Sequence, residues 1–222
     1  MTKPHKAKSF EQWNREEVEN TFGIKRNNEM QLLSNWLNTN YQLTEKELDF
    51  LSELQQGLIN DLDLYNEDEL KFFFISDILK LVKFKTETYR AFTQRQMEFT
   101  TKTVDNQDIT VAGIVELVVA TGKQTPQKPF FFLQEFKQSL RRTNDPLGQL
   151  LIAMMAAQVQ NNNGKAIYGC YVLGEHWHFV VLDNKQYGAS VSYNVTKPSE
   201  LEQMIRILKE QKKYIETELG LI

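Results

Sequence analysis

The feature that most constrains this chain is the run Pro129-Phe130-Phe131-Phe132-Leu133-Gln134-Glu135-Phe136-Lys137. Its apolar residues follow one another without alternation, the pattern of a strand covered on both faces. A strand of that kind needs a layer of structure on each side, which points to an α/β sandwich built on a mixed sheet. Side chains alternate along a strand, so Glu135 and Lys137 project to one face, roughly 6–7 Å apart. Burying either charge alone costs several kcal/mol, so each calls for a partner or a metal. A carboxylate and an ammonium at the end of a central strand make a metal-and-phosphate site.

The remaining pattern supplies the layers. Ser9 with Gln12 is a capping-box pair, predicting a helix from Phe10 towards Phe22 that Gly23 ends. A second helix is expected from Asn28 to Asn38. Thr44 with Glu47 is a stronger capping box, followed by the stripe Leu48, Leu51, Leu54, Leu58 and Leu62. Asn66 caps a further helix whose Phe72, Phe73, Phe74, Ile75 and Ile78 give it a wide apolar face. From Tyr89 to Thr103 the pattern is extended, with Tyr89, Ala91, Thr93, Arg95, Met97 and Phe99 expected on one side. Ile109 to Ala120 reads as a second, nearly apolar strand with Glu116 in its middle. Gly113 there signals a bulge or a close backbone approach.

After the Phe-rich strand, Asp145-Pro146 is a helix start, with Asp145 as N-cap and proline at the first helical position. Strands are expected at Lys165 to Leu173 and His176 to Leu182. Ser199 with Glu202 predicts a last capped helix to about Leu219. The element order suggests two parts: residues 1–64 as a helical N-terminal extension and 65–222 as an α/β core with a mixed central sheet flanked by helices.

Composition limits the functional classes. The chain has 222 residues, a single cysteine (Cys170) and a net charge of −3. No cysteine-cluster zinc site or intrachain disulfide can form. No window reaches the ~18–20 apolar residues of a membrane span, and the N-terminus shows no apolar secretory segment, so a cytoplasmic protein without a membrane partner is expected. Any nucleic acid must be bound by a local basic patch, not by the overall charge.

Glu116 and Glu135 each interrupt an apolar strand, and the two strands are consecutive. If they pair, both acids can meet near Lys137. Mg²⁺ prefers oxygen ligands and keeps several waters, so two carboxylates and the backbone carbonyl of Phe136 can supply an open site. The metal would polarise a phosphate oxygen and lower the pKa of a bound water. Lys137 would steady the attacking hydroxide or the charge growing on phosphorus.

The pattern Gly113-x-x-Glu116, a loop, then an apolar run into Glu135-x-Lys137 resembles the PD-(D/E)xK phosphodiesterase superfamily, which has the restriction-endonuclease-like fold. The similarity extends over residues 66 to about 215. It implies a nuclease using Mg²⁺ or Mn²⁺, with nucleic acid, most often DNA, as substrate, and often a homodimer. It also implies an acidic residue near the start of the first core helix, where Glu69 stands, with Glu67 as second choice. A glutamine on the helix after the lysine is implied too, and Gln149 fits. Two positions depart from the family: Glu116 stands where aspartate is usual, and Ala153 where one branch has tyrosine. The superfamily also includes members that bind nucleic acid without cutting it, which leaves a non-catalytic binding or assembly module as the alternative.

Each of these residues has a plainer explanation. Glu67, Asp68 and Glu69 are first-turn acids that favour the helix dipole. Glu116 and Lys137 make a structural ion pair in the same terms, with Glu135 hydrogen-bonded nearby. Arg141 and Arg142 either grip a phosphate or lie in a solvated loop, and Lys123 and Lys128 are weaker phosphate candidates. His176 and His178 share a strand face but lack further zinc ligands, so they read as strand residues. The Lys209–Lys213 run reads as a solvated helix face.

Overall fold

The computed structural model describes residues 8–137 and 145–222, without the side chains of Leu133, Gln134 and Lys137. An open, mixed sheet forms the centre. Its strands are β1 (Lys25–Arg26), β2 (Tyr89–Lys102), β3 (Asp108–Thr121), β4 (Gln127–Lys137), β5 (Ile167–Leu173), β6 (His176–Asp183), β7 (Gln186–Ala189) and β8 (Tyr193–Asn194). They run in the order β1-β7-β6-β5-β4-β3-β2, with β8 added beside β6. The pairs β4–β5 and β1–β7 are parallel and the others antiparallel.

Helices cover both faces. One layer holds α2 (Gln31–Leu37), α3 (Glu45–Asp61), α4 (Glu67–Leu70), α5 (Ser76–Val82) and α7 (Pro198–Glu218). A π turn over Lys71–Ile75 joins α4 to α5, so residues 67–82 make one continuous rod. The opposite layer holds α1 (Arg15–Phe22) and α6 (Pro146–Asn161). The Phe-rich strand serves both layers as its sequence requires: Phe130 packs on the α6 side, Phe131 and Phe132 on the other. The N-terminal segment supplies the edge strand β1 and buried side chains to both layers.

Several local expectations change. The helix expected from Phe10 is a short 3₁₀ turn, Phe10–Gln12, and then a separate α1 that Asn14 caps through Glu17. The second helix is shorter, starting at Gln31. In α7 the N-cap is Lys197, and Pro198 occupies the first helical position, so the Ser199–Glu202 box does not form. Glu202 pairs with Arg206 instead.

The largest correction concerns β2. Tyr89 and Ala91 pack in one layer, Met97 and Phe99 in the other. Gln94, with φ of 53°, breaks the alternation. Its neighbour β3 changes faces at the same level, with Val115 in the α6 layer and Leu117 in the opposite one, while the β2–β3 register is unchanged on either side. Gly113 is a close approach, not a bulge: a Cβ there would run into the Phe10 side chain.

Helix α6 is buried on all sides from Pro146 to Ala157, which requires a close crossing with α1. A Cβ on Gly148 would lie 2.5 Å from the backbone N of Arg15. Backbone cannot swing away as a flexible side chain can. Gly148→Ala should therefore cost about 1–3 kcal/mol through overpacking, read by urea unfolding. A loss under about 0.5 kcal/mol would show that α1 shifts freely.

The Lys209–Lys213 run is not wholly solvated. The Lys209 side chain is 5% exposed and its Nζ donates to Glu47 Oε1 at 2.6 Å. Its place on the buried stripe of α7, facing α3, explains the difference.

Candidate phosphate-chemistry site

The paired part of the β3–β4 ladder ends at Leu117↔Gln134. Glu116 and Glu135 are the next residues on their strands, at the same level, where the pairing stops. That position follows from the β3–β4 register up to Leu117↔Gln134 and from the continued parallel pairing of β4 with β5, which holds Glu135 beside Tyr171 and Lys137 beside Leu173.

Glu116 faces the α4–α5 rod. Its Oε2 accepts from Lys71 Nζ at 3.0 Å and from Gln94 Nε2 at 2.6 Å. Lys71 also donates to Glu67 Oε1 at 2.6 Å, and its ammonium stands 5.5 Å from the Phe136 ring centroid. Burial alone would push the Lys71 pKa down. The hydrogen bonds and negative charge of Glu67 and Glu116 outweigh burial and raise it above the usual lysine value. Lys71 therefore remains a cation throughout the neutral range. Glu116 Oε1 makes no hydrogen bond to the described residues, so one carboxylate oxygen is left for another ligand.

Glu135 is 8% exposed. Phe136 packs in the layer of the α4–α5 rod, so strand alternation turns Glu135 towards α6. Tyr171, its cross-strand neighbour, also packs on that side. The two acids thus stand at the parting of β3 and β4 on its two opposite faces, and do not meet on one face as expected from the sequence, because β3 changes faces between Val115 and Leu117. Gln149 lies on the α6 side too, 3% exposed, and neither polar atom of its amide has a partner among the described residues. An unsatisfied buried amide is uncommon and calls for an explanation.

The remaining expected residues take other places. Glu69 Oε2 accepts from the backbone N of its own N-cap, Asn66, at 2.8 Å, completing a capping box. Its carboxylate serves the helix end, as the plainer explanation had it, and Glu67, the second choice, is the one linked to Glu116 through Lys71. Arg141 and Arg142 lie outside the described residues. Lys123 contributes a backbone carbonyl to Arg90. His178 stacks on Tyr171 at 4.5 Å, and burial lowers its pKa. Among the described residues no three of His, Cys, Asp and Glu gather as a metal-ligand group, and no helix is long and apolar enough to cross a membrane.

Sequence reasoning missed Lys71 and Gln94. The cation beside Glu116 comes from a helix 45 residues upstream, and its sequence signal was only a lysine four positions after Glu67 on a helix. Gln94 gave no signal, because its role depends on a positive φ.

The donor set bears on the expected metal. Glu116 Oε1, the Glu135 carboxylate and the Phe136 carbonyl are hard oxygen donors, the type that Mg²⁺ or Mn²⁺ accepts. Mg²⁺ is commonly held by one or two carboxylates plus water and substrate phosphate, so a three-acid cluster is not required. By donor type the residues suit such a metal, but Glu116 and Glu135 face opposite sides of the sheet, so one ion could reach both only in the gap where β3 and β4 part. The sequence matches no model of a known protein family, and comparison with curated proteins gives no match.

Proposed function

We propose that this chain is a metal-dependent phosphodiesterase of the restriction-endonuclease-like fold, hydrolysing nucleic acid, with DNA the expected substrate. The observation that carries this reading is the pair Glu116 and Glu135, at one level of neighbouring strands where the β3–β4 pairing stops. Glu116, Glu135 and the Phe136 carbonyl would hold Mg²⁺ or Mn²⁺ in the gap where β3 and β4 part, into which the two carboxylates would have to turn from opposite faces. The metal would supply Lewis acidity and a bound water of lowered pKa. Lys137 would stabilise charge at the phosphorus, Gln149 would contact the phosphate or the water, and Lys71 holds Glu116 in place by a hydrogen bond.

A second reading, a nucleic-acid-binding or assembly module without cleavage, is favoured by Lys71. Its ammonium already neutralises Glu116 and competes with a metal there.

The test is a Mg²⁺ and Mn²⁺ titration with single- and double-stranded DNA, applied to wild type, Glu135→Ala and Lys137→Ala. Metal-dependent cleavage by wild type that falls by roughly 10²-fold or more in both variants supports the enzyme. Equal activity in all three proteins would remove it. DNA binding with steep salt dependence and no cutting would select the second reading.

A further inference from the structure

We propose that the outer side of the α4–α5 rod binds a single strand of nucleic acid, its bases stacking on Phe72 and Phe73 and its phosphates entering a basic pocket at the rod's far end. This names the substrate class of the site proposed above and rests on that reading for its place in catalysis.

The rod buries Leu70, Phe74, Ile75, Ile78 and Val82. Phe72, Phe73 and Lys80 are exposed along the rod, and Lys83, its left-handed C-cap, is exposed at its end, so the outward face carries two rings at one end and two ammonium groups at the other. Two aromatic rings on that face are in water: Phe72 is 72% and Phe73 51% exposed. Phe73 stacks on Tyr65 at 5.6 Å and meets Phe72 edge-on at 5.1 Å. A supported pair of exposed rings of this kind suits a flat aromatic ligand.

At the other end, Leu79, Phe84 and Ala91 form the apolar floor of a cavity of about 340 Å³, ringed by Lys80, Lys83, Lys85 and Arg90. Lys80 is paired with Asp77. Lys83, Lys85 and Arg90 have no acidic partner among the described residues. Arg90 is held in place by two backbone carbonyls, those of Ala91 at 3.4 Å and Lys123 at 3.3 Å. Most of its five donors remain available. In a protein of net charge −3, such a cluster is a local anion site.

Lys71, next to Phe72 in sequence, holds Glu116, so the platform begins beside the candidate site. From Phe72 to Lys83 the rod advances roughly 16 Å at ~1.5 Å per residue. That is about four to five steps of a stacked strand at ~3.4 Å per base. Aromatic platforms joined to a cationic track are the general means of holding single strands, because every base offers a π face. In a duplex those faces are occupied by neighbouring base pairs, so the exposed rings favour an unpaired strand.

The experiment is fluorescence anisotropy with a labelled thymidine oligonucleotide and a duplex of equal length, in EDTA so that cleavage plays no part. Wild type should bind the single strand at least roughly tenfold tighter than the duplex. Phe72→Ser/Phe73→Ser should weaken strand binding at least roughly tenfold. Lys83→Asn/Lys85→Gln should reduce the slope of log K against log salt by about 1.4, the share of two phosphates. All four positions are exposed, and asparagine tolerates the positive φ of Lys83. Duplex binding as tight as strand binding, or wild-type binding by both double variants, would overturn the proposal. So would self-association that the Phe72→Ser/Phe73→Ser change abolishes in a protein that binds no oligonucleotide. Strand binding without any metal-dependent cutting leaves this proposal standing and removes the nuclease reading. Cutting of duplex and strand alike, unchanged in both double variants, does the reverse.

Discussion

Lys209→Ala is expected to lower unfolding stability by about 3 kcal/mol, the low end of the cost of breaking a buried ion pair. Its ammonium lies 2.6 Å from Glu47 Oε1, and Glu47 is also the third residue of the capping box that starts α3. Removing the lysine leaves a half-buried carboxylate without its cation and deletes a buried, packed aliphatic stem. Lys209→Met keeps most of the stem and should recover part of the loss. The Lys209→Met/Glu47→Met pair should recover most of the remainder, because apolar replacements of both partners are often neutral. Guanidinium unfolding of these variants checks the order; an alanine variant within about 0.5 kcal/mol of wild type would show that water replaces the lysine.

The same pair predicts a pH dependence. Burial pushes the Glu47 carboxyl upward, but hydrogen bonds from Lys209 and the Thr44 cap outweigh it and hold the carboxyl below its ordinary value of 4.5. A depressed folded pKa means that the unfolded chain takes up the proton first as pH falls. The stabilisation is therefore complete above pH 4.5 and is lost as pH drops through the folded value. In Lys209→Ala this acid-side loss should be smaller than in wild type.

Gln149→Met is expected to have opposite effects on stability and activity. Both polar atoms of the Gln149 amide are buried without a partner among the described residues. An unsatisfied buried polar group costs about 1–3 kcal/mol. Methionine has a similar length and no amide to desolvate, so the variant should gain about 1–2 kcal/mol in urea unfolding. If Gln149 serves the phosphate chemistry, cleavage should fall by roughly tenfold or more in the same protein. Higher stability with unchanged activity would make Gln149 a plain core defect. Lower stability would show that the amide has a partner in solution, such as an ordered water.

Much of the architecture was legible in local pattern. The unbroken Pro129–Leu133 run announced a strand between two layers, and both layers are there. Asn66, Thr44 and Asp145 marked helix starts because an N-cap acts within three residues. Gly113 marked a close approach, and Phe10 makes it. The Ser199 box failed because Pro198 took the first helical position, and local pattern could not rank the two start signals. The even alternation expected along β2 failed because one residue, Gln94, adopts a left-handed backbone that nothing in its type demands.

Taken by itself, the sequence determined the layers, the helix starts at Thr44, Asn66 and Asp145, and the two acids inside apolar strands, since each depends on neighbours a few residues away. The tertiary structure alone decided which charges meet: Glu116 with Lys71, Glu47 with Lys209, and Gln149 with no described partner. Those choices depend on how strands twist, where a ladder ends and which helix crosses which. Such long-range packing leaves almost no trace in the spacing of residues along the chain.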